Sequence, residues 1–253
     1  MKIKTALIPS VLVIFLLFFS SFSRERKVNI WMIGDSTMAL KKPERAPESG
    51  WGEGLKLFVN RKAVVHNHAA SGRSTKSFIS EQRWQNVLDS IQKGDYLIIQ
   101  FGHNDEKQDP KLYADPNTDF KTNIQKFVVE SRLKGGNPII CSSIVRRHFD
   151  GLGNLKDTHG EYIKAAKEIA EETKTPYIDM EAATRKLVVS LGPEESKKLF
   201  VFCEPGECSQ RKSGAQDSTH LNFDGTRQVA ALFVKEIKKE NLPIKRLFRN
   251  VEK

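Results

Sequence analysis

Short apolar runs alternate along the chain with segments whose apolar residues recur at helical spacing. Five runs bounded by Gly, Pro, Asn or Asp are typical of buried parallel strands. These runs are Val28–Ile33, Ala63–Asn67, Asp95–Phe101, Pro138–Ile144 and Pro176–Asp179. Six segments of helical periodicity lie between and after them. These are Trp51–Val59, Thr75–Ile91, Asp119–Leu133, Tyr162–Thr173, Glu181–Leu191 and Phe223–Glu240.

This alternation of strands and helices predicts a three-layer α/β/α sandwich around a central parallel sheet of about five strands, as in flavodoxin-like folds. No repeat or low-complexity linker divides the chain, so residues 24–253 are expected to form a single domain. Asn222 is a plausible N-cap for the last helix. The stretch Glu194–Ser218 predicts a long irregular loop, and long loops in such domains are often functional.

The N-terminal residues have the layout of a secretory signal. Lys2 and Lys4 precede an apolar stretch from about Ala6 to Phe19, and the small residues of Ser21–Ser23 follow. A cleaved signal peptide over residues 1–23 is therefore predicted, with an uncleaved anchor as the alternative. The apolar stretch is short beside the roughly 20 residues of a membrane span. We expect a secreted or periplasmic protein without a membrane span after cleavage.

The chain is basic, with a formal net charge of +10. Two of its 41 basic residues and none of its 31 acidic residues lie within residues 1–23, so the remaining chain carries +8. Such a surface suits an anionic polymer, an anionic membrane or nucleic acid. Because no nucleic-acid-binding motif accompanies the charge and the protein carries an export signal, nucleic acid is not an expected partner. A monomer is favoured.

The three cysteines divide into a pair and a single residue. Cys203 and Cys208 enclose a turn-like segment, and in an exported protein they could form a small disulfide loop. Spacing alone leaves that pairing open. Cys141 lies in an apolar run and is expected to be a buried free thiol.

Three polar loop motifs each follow a predicted strand. They are Gly34–Thr37, Ala70–Ser74 and Gly102–Asp105. Because the carboxyl ends of parallel strands meet at one edge of a sheet, and ligands bind there, these loops are expected to gather into a site.

The motifs contain the side chains that acyl transfer through a serine requires. Ser36 is a candidate nucleophile, His220 a candidate base, and Asp217 is close enough in sequence to orient that imidazole. The backbone N–H of Gly72 and the side chain of Asn104 are candidate donors to an oxyanion. Each residue alone also has a structural interpretation, as a helix cap, a core histidine or a turn residue.

The combination resembles the SGNH (GDSL-like) hydrolase superfamily. Its four blocks match Gly34–Ser36, Gly72, Gly102–Asp105 and Asp217–His220 over essentially the whole mature chain. The chain is more narrowly similar to the rhamnogalacturonan acetylesterase group. That similarity rests on Gly34–Ala39, Asn67–Ser74, Ser143–Arg147 and Asp217–Asn222.

The resemblance implies an esterase that removes O-acetyl groups from a plant cell-wall polysaccharide, with pectic rhamnogalacturonan favoured. Ser36 would attack the ester, His220 would take its proton, and Asp217 would orient His220. The Ser36 N–H, the Gly72 N–H and the Asn104 side chain would hold the oxyanion. No cofactor is implied. A lipase or other acyl esterase on this scaffold and a non-catalytic carbohydrate-binding protein are the alternatives.

Two further groups of residues bear on substrate and metal binding. Arg146 and Arg147 follow the fourth predicted strand and could meet uronate carboxylates, although solvated or salt-bridged arginines fit as well. His66 and His68 lie on one face of a strand. They lack acidic or cysteine partners at ligand spacing, so no metal site is predicted.

Overall fold

The computed structural model describes residues 26–251, and the predicted signal peptide lies outside the described residues. Five parallel strands form the central sheet, in the order β2-β1-β3-β4-β5. The strands are β1 (Val28–Gly34), β2 (Ala63–Asn67), β3 (Tyr96–Gln100), β4 (Asn137–Cys141) and β5 (Tyr177–Ile178). Strands β6 (Phe200–Cys203) and β7 (Ala215–Leu221) form a separate antiparallel hairpin. The helices are α1 (Trp51–Gly54), α2 (Thr75–Ser80), α3 (Arg83–Leu88), α4 (Asp119–Leu133), α5 (Glu161–Glu172), α6 (Met180–Glu195) and α7 (Phe223–Lys239).

Alternate residues of each central strand face opposite helix layers. In β1, Ile30 and Met32 pack with the core that includes α1, α6 and α7. Trp31 and Ile33 pack with the core that includes α2 to α5. Burial on both faces explains why the strands are continuous apolar runs rather than alternating ones. The predicted three-layer α/β/α sandwich with a five-stranded parallel sheet is confirmed.

The structure corrects the predicted helix over Thr75–Ile91. That segment forms two helices, α2 and α3, separated at Gln82, whose backbone has a left-handed φ of 60°. The break lets both Phe78 and Trp84 pack against Phe127 of α4. The Phe127 ring centroid lies 6.3 Å from that of Phe78 and 4.9 Å from that of Trp84. Helical spacing could not show the break, because both halves present apolar residues to the same core.

The stretch Glu194–Ser218, predicted as an irregular loop, contains β6 and most of β7. The sequence of β7 is mainly polar, and only its last residue, Leu221, is buried. Backbone pairing with β6 therefore defines this strand. Its side chains form no apolar pattern from which the strand could be predicted. Cys203 and Cys208 are joined by a disulfide at the hairpin tip, and Cys141 is a buried free thiol.

Candidate active site

The three motif loops meet because their strands are neighbours. Strand β1 lies between β2 and β3, so the loop carrying Ser36 is flanked by the loops that carry Gly72 and Asn104. All three strands are parallel, so the loops leave from the same edge of the sheet. This places the three motifs where open α/β sheets bind their ligands.

A buried set of polar contacts holds the loop of Ser36. The Asp35 carboxylate accepts hydrogen bonds from the Thr37 backbone N–H at 2.9 Å and from its hydroxyl at 2.7 Å. Gln100 donates to the same hydroxyl at 2.9 Å. A Cβ atom on Gly34 would stand 2.5 Å from the Gln100 carbonyl oxygen, so only glycine permits this approach of β1 to β3.

The opposite side of the site comes from β7. His220 Nε2 lies 2.9 Å from Ser36 Oγ, and His220 Nδ1 lies 2.7 Å from Asp217 Oδ2. The other carboxylate oxygen of Asp217 accepts from the backbone N–H groups of Thr219 at 2.8 Å and His220 at 2.9 Å. The helix α7 starts directly after this strand, with Asn222 as its N-cap, as predicted.

These contacts orient the imidazole for proton transfer. A hydrogen bond to a carboxylate requires that Nδ1 carry the proton, which leaves the Nε2 lone pair facing Ser36. Burial would raise the pKa of Asp217, but hydrogen bonds from the His220 side chain and backbone outweigh it and lower the pKa to about 2. Asp217 is therefore ionised at neutral pH. The arrangement has the geometry of a serine nucleophile with its base and orienting carboxylate.

Gly72 and Asn104 lie in the loops on either side of the Ser36 loop. Gly72 has a left-handed φ of 77°, and the space where its Cβ would stand is open. Asn104 is buried, donates from Nδ2 to the Arg73 carbonyl at 3.1 Å, and accepts from Lys107 Nζ at 2.7 Å. Those two bonds fix its amide and leave a second Nδ2 hydrogen for another acceptor.

Comparison with known proteins decides the family. The model of the GDSL-like lipase/acylhydrolase family matches residues 32–227, which include all four motifs. The chain belongs to this family. It is therefore a carboxylic-ester hydrolase, and its similarity to the acetylesterase group is confirmed by a relative. Rhamnogalacturonan acetylesterase RhgT of Bacillus subtilis is 39% identical over 87% of this chain and 94% of its own.

Solved structures share the fold of this GDSL-like hydrolase. The protein YxiM of Bacillus subtilis superposes with a TM-score of 0.73 at 25% identity, and the match covers 86% of this chain and 58% of that one. The acetylxylan esterase Axe2 of Geobacillus stearothermophilus superposes with a TM-score of 0.60 at 18% identity, covering 84% and 94% of the two chains. The second likeness shows the fold alone.

The two arginines expected near the substrate in this GDSL-like hydrolase have structural partners. Arg146 pairs with the carboxylate of Glu106 and lies close to the Thr158 carbonyl, with its side chain 12% exposed. Arg147 is buried, where it donates to Ser196 Oγ at 3.0 Å and stacks over the Phe202 ring. The ordinary structural interpretation of these residues therefore accounts for their contacts.

Glu48 is a buried charged residue beside His220 that no motif in the sequence indicates. Its Oε1 atom lies 3.9 Å from His220 Nε2, and its side chain is only 1% exposed. It sits in the charged segment Lys41–Ser49, whose composition is that of a solvated loop. The backbone N–H of Ser49 donates to the Leu221 carbonyl at 2.9 Å, which ties this segment to β7. The charged composition of this segment therefore did not indicate that Glu48 is buried.

The histidines of the predicted strand pair, His66 and His68, lie beside the Trp31 ring. His66 stacks on it with ring centroids 4.3 Å apart and also contacts the Asn29 side chain at 3.0 Å. Across residues 26–251, no three His, Cys, Asp or Glu side chains are grouped so that they could hold a metal ion. No helix in that range is both long and apolar enough to span a membrane.

Asp105 gives the GDSL-like hydrolase a testable pH dependence of stability. Its buried Oδ1 accepts from the Thr75 backbone N–H at 2.8 Å, while Oδ2 has no partner among the described residues. Burial raises its pKa from 3.8 to about 7. A raised folded-state pKa contributes stability that is fully present below the unfolded value and is lost as the pH rises through about 7.

We therefore expect Asp105→Asn to remove part of the fall in unfolding free energy between about pH 5 and 8.5. Asn can still accept from the Thr75 backbone N–H and from the Thr75 hydroxyl, which also donates to Oδ1, and it has no charge to bury. Urea unfolding at the two pH values measures the effect, with the exposed Asp89→Asn as a matched control. The same slope in wild type and Asp105→Asn would show that the Asp105 carboxyl does not titrate in this window.

Proposed function

We propose that this chain is an exported carbohydrate esterase that removes O-acetyl groups from a plant cell-wall polysaccharide, with rhamnogalacturonan as its substrate. The unbroken contact from Ser36 through His220 to Asp217 carries the proposal, because it joins a nucleophile, a base and an orienting carboxylate. The substrate follows from similarity to RhgT over nearly its whole length. The disulfide between Cys203 and Cys208 supports export, since such bonds persist in oxidising compartments.

The reaction proceeds by double displacement. Ser36 Oγ attacks the acetyl carbonyl as His220 Nε2 takes its proton, giving a tetrahedral oxyanion. His220 then gives that proton to the sugar oxygen as its bond to the acetyl carbon breaks, so the sugar leaves with a free hydroxyl and acetyl-Ser36 remains. A water molecule, deprotonated by His220, attacks this ester, and acetate leaves as Ser36 regains the proton. The Ser36 N–H, the Gly72 N–H and the Asn104 side chain stabilise the oxyanion. No cofactor takes part in this scheme.

Release of the free acid from three esters tests the proposal, acetate from the two polysaccharides and fatty acid from the lipid. Acetylated rhamnogalacturonan, acetylated xylan and a medium-chain lipid ester are assayed with wild type, and Ser36→Ala supplies the blank. We expect the pectic polymer to give the highest kcat/KM. Higher activity on xylan or on the lipid ester would keep the serine mechanism and overturn the substrate. No Ser36-dependent release from any of them would overturn both the proposed substrate and the proposed serine mechanism.

Removal of one oxyanion donor should reduce turnover. We expect Asn104→Ala to lower kcat by about 10²-fold, the usual loss of one such donor, with a smaller change in KM. A chromogenic acetate ester measures kcat, and the exposed Asn86→Ala is the matched control. An unchanged kcat in a folded Asn104→Ala protein would exclude Asn104 from the oxyanion site.

A further inference from the structure

Four charged side chains gather beside His220 and take no part in the ester chemistry. Lys41 Nζ lies 2.8 Å from Glu48 Oε1, and the other Glu48 oxygen lies 2.5 Å from Arg45 and 3.2 Å from Arg211. Glu48 is itself 3.9 Å from His220 Nε2. Lys41, Arg45 and Glu48 follow the Ser36 loop, whereas Arg211 belongs to the β6–β7 hairpin. Two separate segments therefore bring one charge cluster to the catalytic group.

The cluster has more positive than negative charge. Burial would raise the pKa of Glu48, but the hydrogen bond from Lys41 and the charges of Lys41 and Arg45 outweigh it, so the pKa is lowered. Glu48 is thus a carboxylate that faces three cations. One carboxylate cannot neutralise three cations, and the excess favours an anion at this place.

The cations differ in how much of each side chain solvent can reach. Lys41 is 4% exposed and also donates to Ser71 Oγ at 3.0 Å, next to Gly72. Arg45 is 51% exposed and Arg211 is 25% exposed. Lys41 is therefore a buried link between Glu48 and the Gly72 loop, while the two guanidinium groups reach the surface.

Both guanidinium groups retain donors for a ligand. Arg211 contacts Glu48 and, at 3.5 Å, the Arg45 carbonyl through the same nitrogen, Nη2. A guanidinium has five N–H donors in a planar arrangement that matches a carboxylate. Arg146 and Arg147, in contrast, are occupied by Glu106, Ser196 and backbone carbonyls.

We propose that Arg45 and Arg211, held in place by Glu48, form a subsite that binds a uronate carboxylate of the polysaccharide beside the acetyl group under attack. The inference rests on the proposed function, because it assigns the recognition of an acidic sugar to that same site. Glu48 and Lys41 are positioning residues in this subsite. The guanidinium groups select a carboxylated substrate over a neutral one.

Two measurements test the subsite separately from the chemistry. The first is calorimetric binding of a deacetylated rhamnogalacturonan oligosaccharide at low salt to wild type, Arg45→Gln and Arg211→Gln. We expect each substitution to weaken binding about tenfold, as the loss of one charged hydrogen-bonded contact does. Arg61→Gln, at the amino end of β2, removes the same charge away from the site and should bind like wild type.

The second measurement compares acetylated rhamnogalacturonan oligosaccharides whose uronate carboxyl groups are free or methyl-esterified. We expect wild type to have the lower KM for the free acid, and Arg45→Gln and Arg211→Gln to raise that KM about tenfold more than the KM for the ester. Equal changes for acid and ester, or binding unaffected by both substitutions, would overturn the subsite. Arginine-dependent binding without acetate release would instead keep the subsite and overturn the proposed function.

Discussion

Ser36→Ala is expected to lower kcat for acetate esters by about 10³-fold or more, while the protein stays folded. Ser36 Oγ is the atom that His220 Nε2 contacts, at 2.9 Å, and it forms the covalent bond to the acetyl group in the proposed reaction. Removing the hydroxyl leaves only the oxyanion donors and substrate binding to accelerate hydrolysis. Steady-state rates with a chromogenic acetate ester measure the loss.

The control is a serine elsewhere on the surface. Ser90→Ala removes an exposed hydroxyl that donates to the Asn86 carbonyl, and it should leave kcat at the wild-type value. Thermal unfolding of both variants separates a catalytic loss from a folding defect. A Ser36→Ala enzyme that keeps a large part of the wild-type rate would remove Ser36 from the mechanism.

Asp217→Asn should lower kcat by roughly 10²- to 10⁴-fold. The Asn oxygen can still accept from the backbone N–H groups of Thr219 and His220, so the turn is retained. Its NH₂ group, however, would face His220 Nδ1. Because NH₂ is a hydrogen-bond donor, Nδ1 could no longer carry a proton and would have to accept. The imidazole would then carry its proton on Nε2 and could not accept one from Ser36.

The exposed Asp224→Asn in the first turn of α7 is the matched control for this change. We expect its kcat to equal that of wild type. Because the pKa of Asp217 is lowered to about 2, wild type should show no loss of activity from protonation of Asp217 at mildly acidic pH. A wild-type rate in Asp217→Asn would mean that the His220 tautomer does not depend on this carboxylate.

Most of the sheet could be predicted from the sequence because its strands are buried on both faces. Each strand is an apolar run that can be recognised in the sequence without knowing which strand it pairs with. The five strands lie within a few residues of the predicted bounds. Strand β7 left no such signal, because pairing with β6 defines it and its side chains are mostly polar. The broken helix at Gln82 was missed for a related reason, since both halves keep the expected spacing.

The residues of the site also divide into those that local sequence could place and those that it could not. Ser36, Gly72 and Asn104 follow directly from the rule that loops after parallel strands meet at one edge, because each follows its own strand. Asp217 and His220 could be proposed from their residue types and their spacing, but they follow no predicted strand, so the sequence alone could not place them beside Ser36. Glu48 and Arg211 are far apart in sequence and join through tertiary contacts alone, so no local pattern could pair them.

Trapping of the acyl-enzyme tests the central claim most directly. Wild type is mixed with an excess of an activated acetate ester, quenched in acid within the first turnovers, and digested for peptide mass spectrometry. We expect one added acetyl group on the peptide that contains Ser36, and none on that peptide in Ser36→Ala. Turnover of the ester with no acetyl group at Ser36, or with the acetyl group on another residue, would contradict that claim.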